Sequence, residues 1–293
     1  MIDTSGTRYE FARWSPGVWA LRPWQEFLDA VPLRQMDDFM RLRGEIVDRN
    51  RRSQVHRIQL GSPEKVFYLK VHKDYVRHSW KGLFKAVPMV AQELTRLMDY
   101  ARAGLDALEP VAWGWRPRGM GGDSFLLTAE LKGFRSLDSW LSDASVGEDR
   151  VKRRAIGKAV AGMLDRMHRS GLAHVDLFAW HVFLKPMGST FQAQAIDLER
   201  SRIRSPWPGS SHRILKKQAN DLAMLHLTVP WPQVSHSERM RFFLDYRGHN
   251  RLTLADKRFI RASMKVAKHR GRRSKFKRFG VAQQLRGGSG KGE

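Results

Sequence analysis

Residues 173–184 read AHVDLFAWHVFL. Two histidines, His174 and His181, stand around Asp176 in an apolar stretch that runs into a β-branched, strand-like segment. A lone imidazole in such a stretch is ordinarily a core residue satisfied by one hydrogen bond. Three titratable groups this close together ask for a chemical role, and their chemistry by itself also permits a zinc trio. The choice rests on what flanks them.

Upstream, Ile156, Val160, Met163, Leu164 and Met167 recur at helical spacing through residues 150–170, which predicts a helix that Gly171 ends. Downstream, HVFLKPMGSTFQAQAIDLER (181–200) predicts a hairpin turning at PMGST, with Asp197 where its second strand runs out. Nearer the start, residues 54–72 predict two strands around GSPEK, with Lys70 near the end of the second. VPMVAQELTRLMDYARAG (87–104) predicts a helix with Val90, Leu94, Leu97 and Met98 on one face, Glu93 within it and Gly104 as its stop. EPVAWGWRPRGMGGDSFLLTAEL (109–131) predicts two more strands joined by a Gly-rich turn, and SLDSWL opens a helix with Ser136 as cap. Beyond residue 200 the pattern suggests short helical segments alternating with Pro-rich loops. KHRGRRSKFKR (268–278) carries seven Lys and Arg and no acid, and it begins a tail that reads as mobile.

A chain of 293 residues with 42% hydrophobic content can bury a sizeable core, most simply as two packed units. The absence of cysteine excludes disulfides and thiolate chemistry and fits a reducing compartment. The start, MIDTSGTRYEFARW, does not resemble a signal peptide, and no apolar run reaches the roughly 18 residues of a membrane-spanning helix, so a cytoplasmic protein is expected. A formal charge of +24 demands an anionic partner: nucleic acid, an anionic membrane surface or a phosphorylated substrate.

The order of parts narrows that choice. Strands bearing a lysine, a helix bearing a glutamate, further strands, helices, HVD, a hairpin and IDLER follow one another as in protein-kinase-like phosphotransferases. The expected fold is therefore α+β and two-lobed: a β-rich N-terminal lobe over 1–130, a mainly helical C-terminal lobe over 131–267, and the basic tail over 268–293. Phosphoryl transfer needs charge neutralised on the triphosphate, a metal bridging its oxygens and an acceptor hydroxyl held in line. Lys70 can reach the α- and β-phosphates with Glu93 fixing its ammonium. Asp176 can take or orient the acceptor's proton, and Asp197 can hold Mg²⁺. The zinc trio leaves Lys70, Glu93 and Asp197 without a purpose.

Within this architecture the segments FYLKVHKDYVRHSWKGLFKA, AQELTRL, FLLTAEL, GLAHVDLFAWHVFL and IDLERSRIR resemble the lipopolysaccharide core kinases of Gram-negative bacteria, the heptose and Kdo kinases, over about residues 50–225. The resemblance implies ATP and Mg²⁺ as cofactors, nucleotide contacts at Ser53, Glu130 and Leu131, and a metal-site or phosphate-site role for His181, where most kinases of this architecture carry Asn. His174 would brace the loop through backbone hydrogen bonds. The implied acceptor is the lipid A and inner-core region of lipopolysaccharide at the cytoplasmic face of the inner membrane.

Several positions depart from the wider kinase pattern. Arg51, Arg52 and Ser53 stand where glycine amides would cradle phosphate. Val175 replaces the Arg before the catalytic Asp, and Leu198 and Glu199 follow Asp197. Residues 198–220 hold no Ala-Pro-Glu motif and form a segment short for docking a peptide. That segment carries Arg200, Arg202, Arg204, Arg213, Lys216 and Lys217, a cluster suited to an acceptor already bearing phosphates and carboxylates, with Trp207 to stack on a sugar. The basic tail and the Trp-rich start would hold the protein on anionic lipid. Two rivals remain: a pseudokinase, suggested by the missing glycines, and a nucleic-acid-binding protein using the positive charge. The latter has no use for Lys70, Glu93, Asp176 and Asp197 in that order, so no nucleic acid is expected. Oligomeric state leaves no mark in the sequence.

Overall fold

The computed structural model describes residues 5–49, 51–74, 76–78, 86–119, 121–205, 209–229 and 234–272. The chain divides into two compact units, Met1–Lys132 and Gly133–Glu293.

The first unit runs β1 (Phe11–Ser15), β2 (Val18–Leu21), α1 (Gln25–Asp29), α2 (Met36–Arg41), β3 (Glu45–Arg49), β4 (Ser53–Leu60), β5 (Lys65–His72), β6 (Val76–His78), β7 (Ala86–Pro88), α3 (Met89–Arg102), β8 (Pro110–Arg118) and β9 (Gly121–Ala129). Seven of these strands form one antiparallel sheet in the order β1-β2-β8-β9-β5-β4-β3. The two-residue period of a strand sorts its faces. Phe67, Leu69 and Val71 of β5 and Phe125 and Leu127 of β9 enter a core closed by Leu28, Met36 and Phe39 from α1 and α2. Phe39 stacks on Phe125 at 4.3 Å. Lys70 faces the other way, in one row with Val55 on β4 and Leu126 on β9. That face meets α3, whose Val90, Glu93, Leu94, Leu97 and Met98 are buried as the helical spacing predicts.

Strands β1 and β2 extend the sheet beyond β8. The tryptophans of the chain's start, assigned to lipid, are engaged within the unit. Trp19 stacks on Trp113 at 4.2 Å, the Trp14 indole N–H donates to the Leu33 carbonyl, and Trp24 meets Phe67 edge to face.

The second unit runs β10 (Arg135–Ser136), α4 (Leu137–Ser142), α5 (Ala144–Glu148), α6 (Arg150–Arg169), β11 (Leu172–Ala173), β12 (Val182–Met187), β13 (Thr190–Ala195), β14 (Arg202–Ile203), α7 (Ser210–Thr228), α8 (His236–Arg247) and α9 (Leu254–Gly271). All five apolar positions read from α6 are buried, and Gly171 follows its end with a left-handed φ of +76°. The β12–β13 hairpin turns at Gly188 and Ser189, tighter than the PMGST expected. Pro186 and Met187 stay paired with Phe191 and Thr190, because Gly188, at φ +64°, supplies the backbone conformation a two-residue turn needs. Ser136 occupies the N-cap of α4 but accepts no capping hydrogen bond.

Beyond residue 200 the structure differs most from the sequence reading. In place of short segments there are helices of 19, 12 and 18 residues. Capping boxes, Ser235 with Glu238 and Thr253 with Asp256, start the last two. Lys268–Gly271 completes α9 and so does not belong to a tail. Residues 273–293 and Trp207 lie outside the described residues. No helix among the described residues is long and apolar enough to cross a membrane.

Candidate active site

In the first unit, the Lys70 ammonium donates to Glu93 at 2.9 Å, with side-chain exposures of 16% and 5%. A pair this buried fixes a geometry more than it stabilises a fold, because desolvation offsets much of the attraction. Ser53 opens β4 opposite His72 and is buried, while Arg51 and Arg52 are exposed. Glu130 and Leu131 follow β9, half-buried, with the Glu130 amide donating to the Val66 carbonyl at 3.2 Å.

In the second unit the geometry grows from Asp221, on the buried face of α7 with no solvent exposure. One carboxylate oxygen accepts the His174 amide at 2.8 Å and the His168 imidazole at 3.1 Å; the other accepts the Val175 amide at 2.6 Å. Burial pushes the Tyr246 phenol up to about 12, so it stays protonated and donates to the second nitrogen of His168 at 2.8 Å. Asn220 donates to the Val175 carbonyl, so Val175 is held at both ends. That grip matters because Val175 has φ +76°, a left-handed conformation that costs a β-branched residue on the order of 1–3 kcal/mol. It turns the chain so that Asp176 follows with its carboxylate accepting from Arg200 at 2.6 Å.

Both histidines of the opening motif face backbone. His174, fully buried, donates from Nε2 to the Ile196 carbonyl at 2.8 Å, as expected of a brace. His181 donates from Nδ1 to the Asp176 carbonyl at 2.8 Å. Among the described residues the ligand atoms of His174, Asp176 and His181 do not converge as a metal-binding group, which speaks against the zinc trio. The Nδ1–H of His181 leaves the lone pair on Nε2, 3.9 Å from the Asp197 carboxylate. Burial pushes the His181 imidazole below its ordinary range, against the opposing pull of Asp197, so it is neutral near pH 7. Asp197 takes a left-handed φ of 59°. An oxygen donor and an imidazole lone pair side by side fit a divalent cation, with the carboxylate suited to Mg²⁺.

The second unit thus brings Asp176, His181, Asp197 and Arg200 together, and the first unit joins Lys70 to Glu93. Arg202 is turned back on its own loop, donating to the Arg200 and Ser201 carbonyls. Arg204, Arg213, Lys216 and Lys217 are exposed. Sequence reasoning missed the positioning residues His168, Asn220 and Asp221. Their signal was present: two adjacent polar residues between Ala219 and Ala223 on a buried helical face demand partners.

Comparison with known proteins gives the chain a family. The model of the lipopolysaccharide kinase (Kdo/WaaP) family matches residues 37–246. The chain belongs to this family. It is 31% identical over 160 residues to the lipopolysaccharide core heptose(I) kinase WaaP of Pseudomonas aeruginosa, covering 48% of this chain and 57% of the relative. It is 28% identical over 183 residues to the enzyme of the same name from Escherichia coli, covering 57% and 66%. The matches therefore span less than two thirds of these curated relatives. A solved structure described as WaaP in complex with acyl carrier protein shares the fold, with a TM-score of 0.58 at 22% identity, over 83% of this chain and 91% of that one.

Replacing Asp221 with Asn sets an amide N–H against backbone donors that need an acceptor. Asp221→Asn is expected to lower stability by about 1–3 kcal/mol in urea denaturation.

Proposed function

We propose that this chain transfers the γ-phosphoryl group of ATP to a sugar hydroxyl, heptose or Kdo, of the lipopolysaccharide inner core at the cytoplasmic face of the inner membrane. The observation that carries the reading is the pinned loop of the second unit. It presents Asp176 beside the Asp197–His181 donor pair in a chain of the lipopolysaccharide kinase family. Asp176 accepts or orients the proton of the acceptor hydroxyl. Lys70, held by Glu93, contacts the α- and β-phosphates, and Ser53, Glu130 and Leu131 belong to the nucleotide's surroundings. Asp197 and His181 would hold Mg²⁺, which when bound neutralises charge on the triphosphate. The apolar Val175, in place of a cation that could pair with a phosphorylated loop, favours an enzyme active as synthesised. Along α9, Lys257, Arg261, Lys265 and Lys268 recur on an exposed face, and this supports peripheral attachment to anionic lipid.

Mass spectrometry of lipopolysaccharide from cells with and without the protein should show one phosphate lost. With purified protein, Asp176→Ala should reduce transfer by at least about 10²-fold with ATP binding nearly intact, whereas Asp197→Ala should also lose metal-dependent ATP binding. Asp176→Ala activity within a few-fold of the parent would remove the assignment of the base, and would favour the pseudokinase or nucleic-acid readings if the parent too were inactive.

The exposed cations Arg204, Lys216 and Lys217 are suited to anionic groups already on the acceptor. Lys216→Glu combined with Lys217→Glu should raise the acceptor KM about tenfold or more while the ATP KM stays within about twofold. Added salt should produce part of that rise in the parent. Unchanged kinetics would make these residues ordinary solvated surface.

An acyl carrier protein as partner is also supported. The second unit holds a groove of about 1290 Å³, floored by apolar residues such as Ile156, Val160 and Phe243 and edged by Arg150 and Arg241. Its floor suits an acyl chain, and its edge suits an acidic carrier. Acyl-loaded carrier protein is expected to bind in calorimetry, and Arg150→Glu with Arg241→Glu to weaken it about tenfold. Binding that is absent, or indifferent to the reversals, would discard this partner.

A further inference from the structure

Asp176 stands in a loop with no cation of its own. From Leu177 to Ala179 the chain is apolar and buried, and the Phe178 and Trp180 rings stack at 4.8 Å. The preceding residue is Val175. The cation that meets Asp176 comes from 24 positions further along: Nη1 of Arg200 lies 2.6 Å from Oδ2.

Backbone pairing builds this contact. Strands β11 and β14 pair Leu172 with Ile203 and Ala173 with Arg202, and the Arg204 amide donates to the Gly171 carbonyl at 2.8 Å. Asp176 leaves this ribbon just after β11, and Arg200 enters it just before β14. Between Asp197 and the ribbon lies one helical turn, anchored by the buried Leu198 and closed by the Ser201 amide on the Leu198 carbonyl at 2.9 Å. The loops bearing the base and the metal ligand therefore spring from one two-stranded ribbon. Short lengths of chain, rather than a chance meeting of surface side chains, bring the guanidinium to the carboxylate.

We infer that Arg200 is a positioning residue for Asp176, and not a ligand of the acceptor's standing anionic groups as its place in the basic run suggests. The inference rests on the proposed role of Asp176 as base. A carboxylate rotates broadly about its last side-chain bond. A charge-assisted hydrogen bond to Oδ2 stops that rotation and leaves Oδ1 to receive the acceptor hydroxyl within hydrogen-bond reach. The Arg200 side chain is 56% exposed, so the pair adds little to stability. Its effect is orientation.

The test uses Arg200→Ala and Arg200→Lys in the full chain, with ATP and lipopolysaccharide isolated from cells lacking the protein. For Arg200→Ala, kcat should fall about tenfold or more, less than the loss of a general base itself. Both KM values should stay within about twofold, and the melting temperature should be unchanged. Arg200→Lys, or guanidinium ion added to Arg200→Ala, should restore part of kcat. Arg200→Ala combined with Asp176→Asn should be no slower than Asp176→Asn alone, because the two side chains act as one unit. A raised acceptor KM at constant kcat, multiplied losses in the double variant, or unchanged kinetics would each overturn the inference. If Asp176→Asn is inactive while Arg200→Ala matches the parent, only the role of Arg200 falls. An Asp176→Asn variant with parental activity would remove the assignment of Asp176 as base, and a parent without transfer would sink the kinase reading itself.

Discussion

The second unit depends on one buried carboxylate. Asp221 has no contact with solvent, and three donors converge on it from α6 and from the loop after β11. An ionised group without water must be satisfied by hydrogen bonds, each worth roughly 1.5–3 kcal/mol when a charge takes part. The same bonds hold Val175 in a conformation it would otherwise leave, and Val175 sets the direction in which Asp176 departs. One interaction thus couples the packing of α6 and α7 to the position of a single side chain in the loop between them.

In the first unit the corresponding constraint is the register of a sheet. Residues directly opposite one another on neighbouring strands share a face. The pairing of Lys70 with Leu126 and Val55 therefore decides that the ammonium leaves the sheet on the side of α3 and not into the aromatic core around Phe39 and Phe125. A slip of one residue would bury Lys70 in that core and put Leu69 or Val71 in its place. The Lys70–Glu93 pair then ties the helix to the strand at one height. Burial makes that link costly to break from one side, and this suits a fixed position better than it suits stability.

Charge is the third theme. A formal +24 on 293 residues suggests binding by bulk attraction, yet the cations of the candidate site are individually placed. Arg200 faces Asp176, Arg202 caps the carbonyls of its own turn, and Lys216 and Lys217 lie exposed on α7. Adjacent members of one basic run thus have different work, because strand pairing and helix phase point them in different directions.

Local pattern in the sequence determined a good deal. The apolar spacing of α3 and α6, the hairpins flanking Lys70 and preceding Asp197, and the order in which Lys70, Glu93, Asp176 and Asp197 occur were all legible, since periodicity and motif spacing are properties of neighbouring residues. The chain beyond residue 200 was harder to read: α7 to α9 carry mixed polar faces, and capping boxes start only α8 and α9, so these helices depend on packing with distant elements more than on a clear apolar stripe. Only the tertiary structure decided the rest. That β1 and β2 join the sheet, that Asp221 and His168 meet behind the loop, which nitrogen of His174 and of His181 carries the proton, and that Arg200 turns to Asp176 all depend on groups far apart in sequence being brought within hydrogen-bonding distance. Such contacts exist only once the chain has folded, because their partners are chosen by the approach of whole elements and not by the residues on either side.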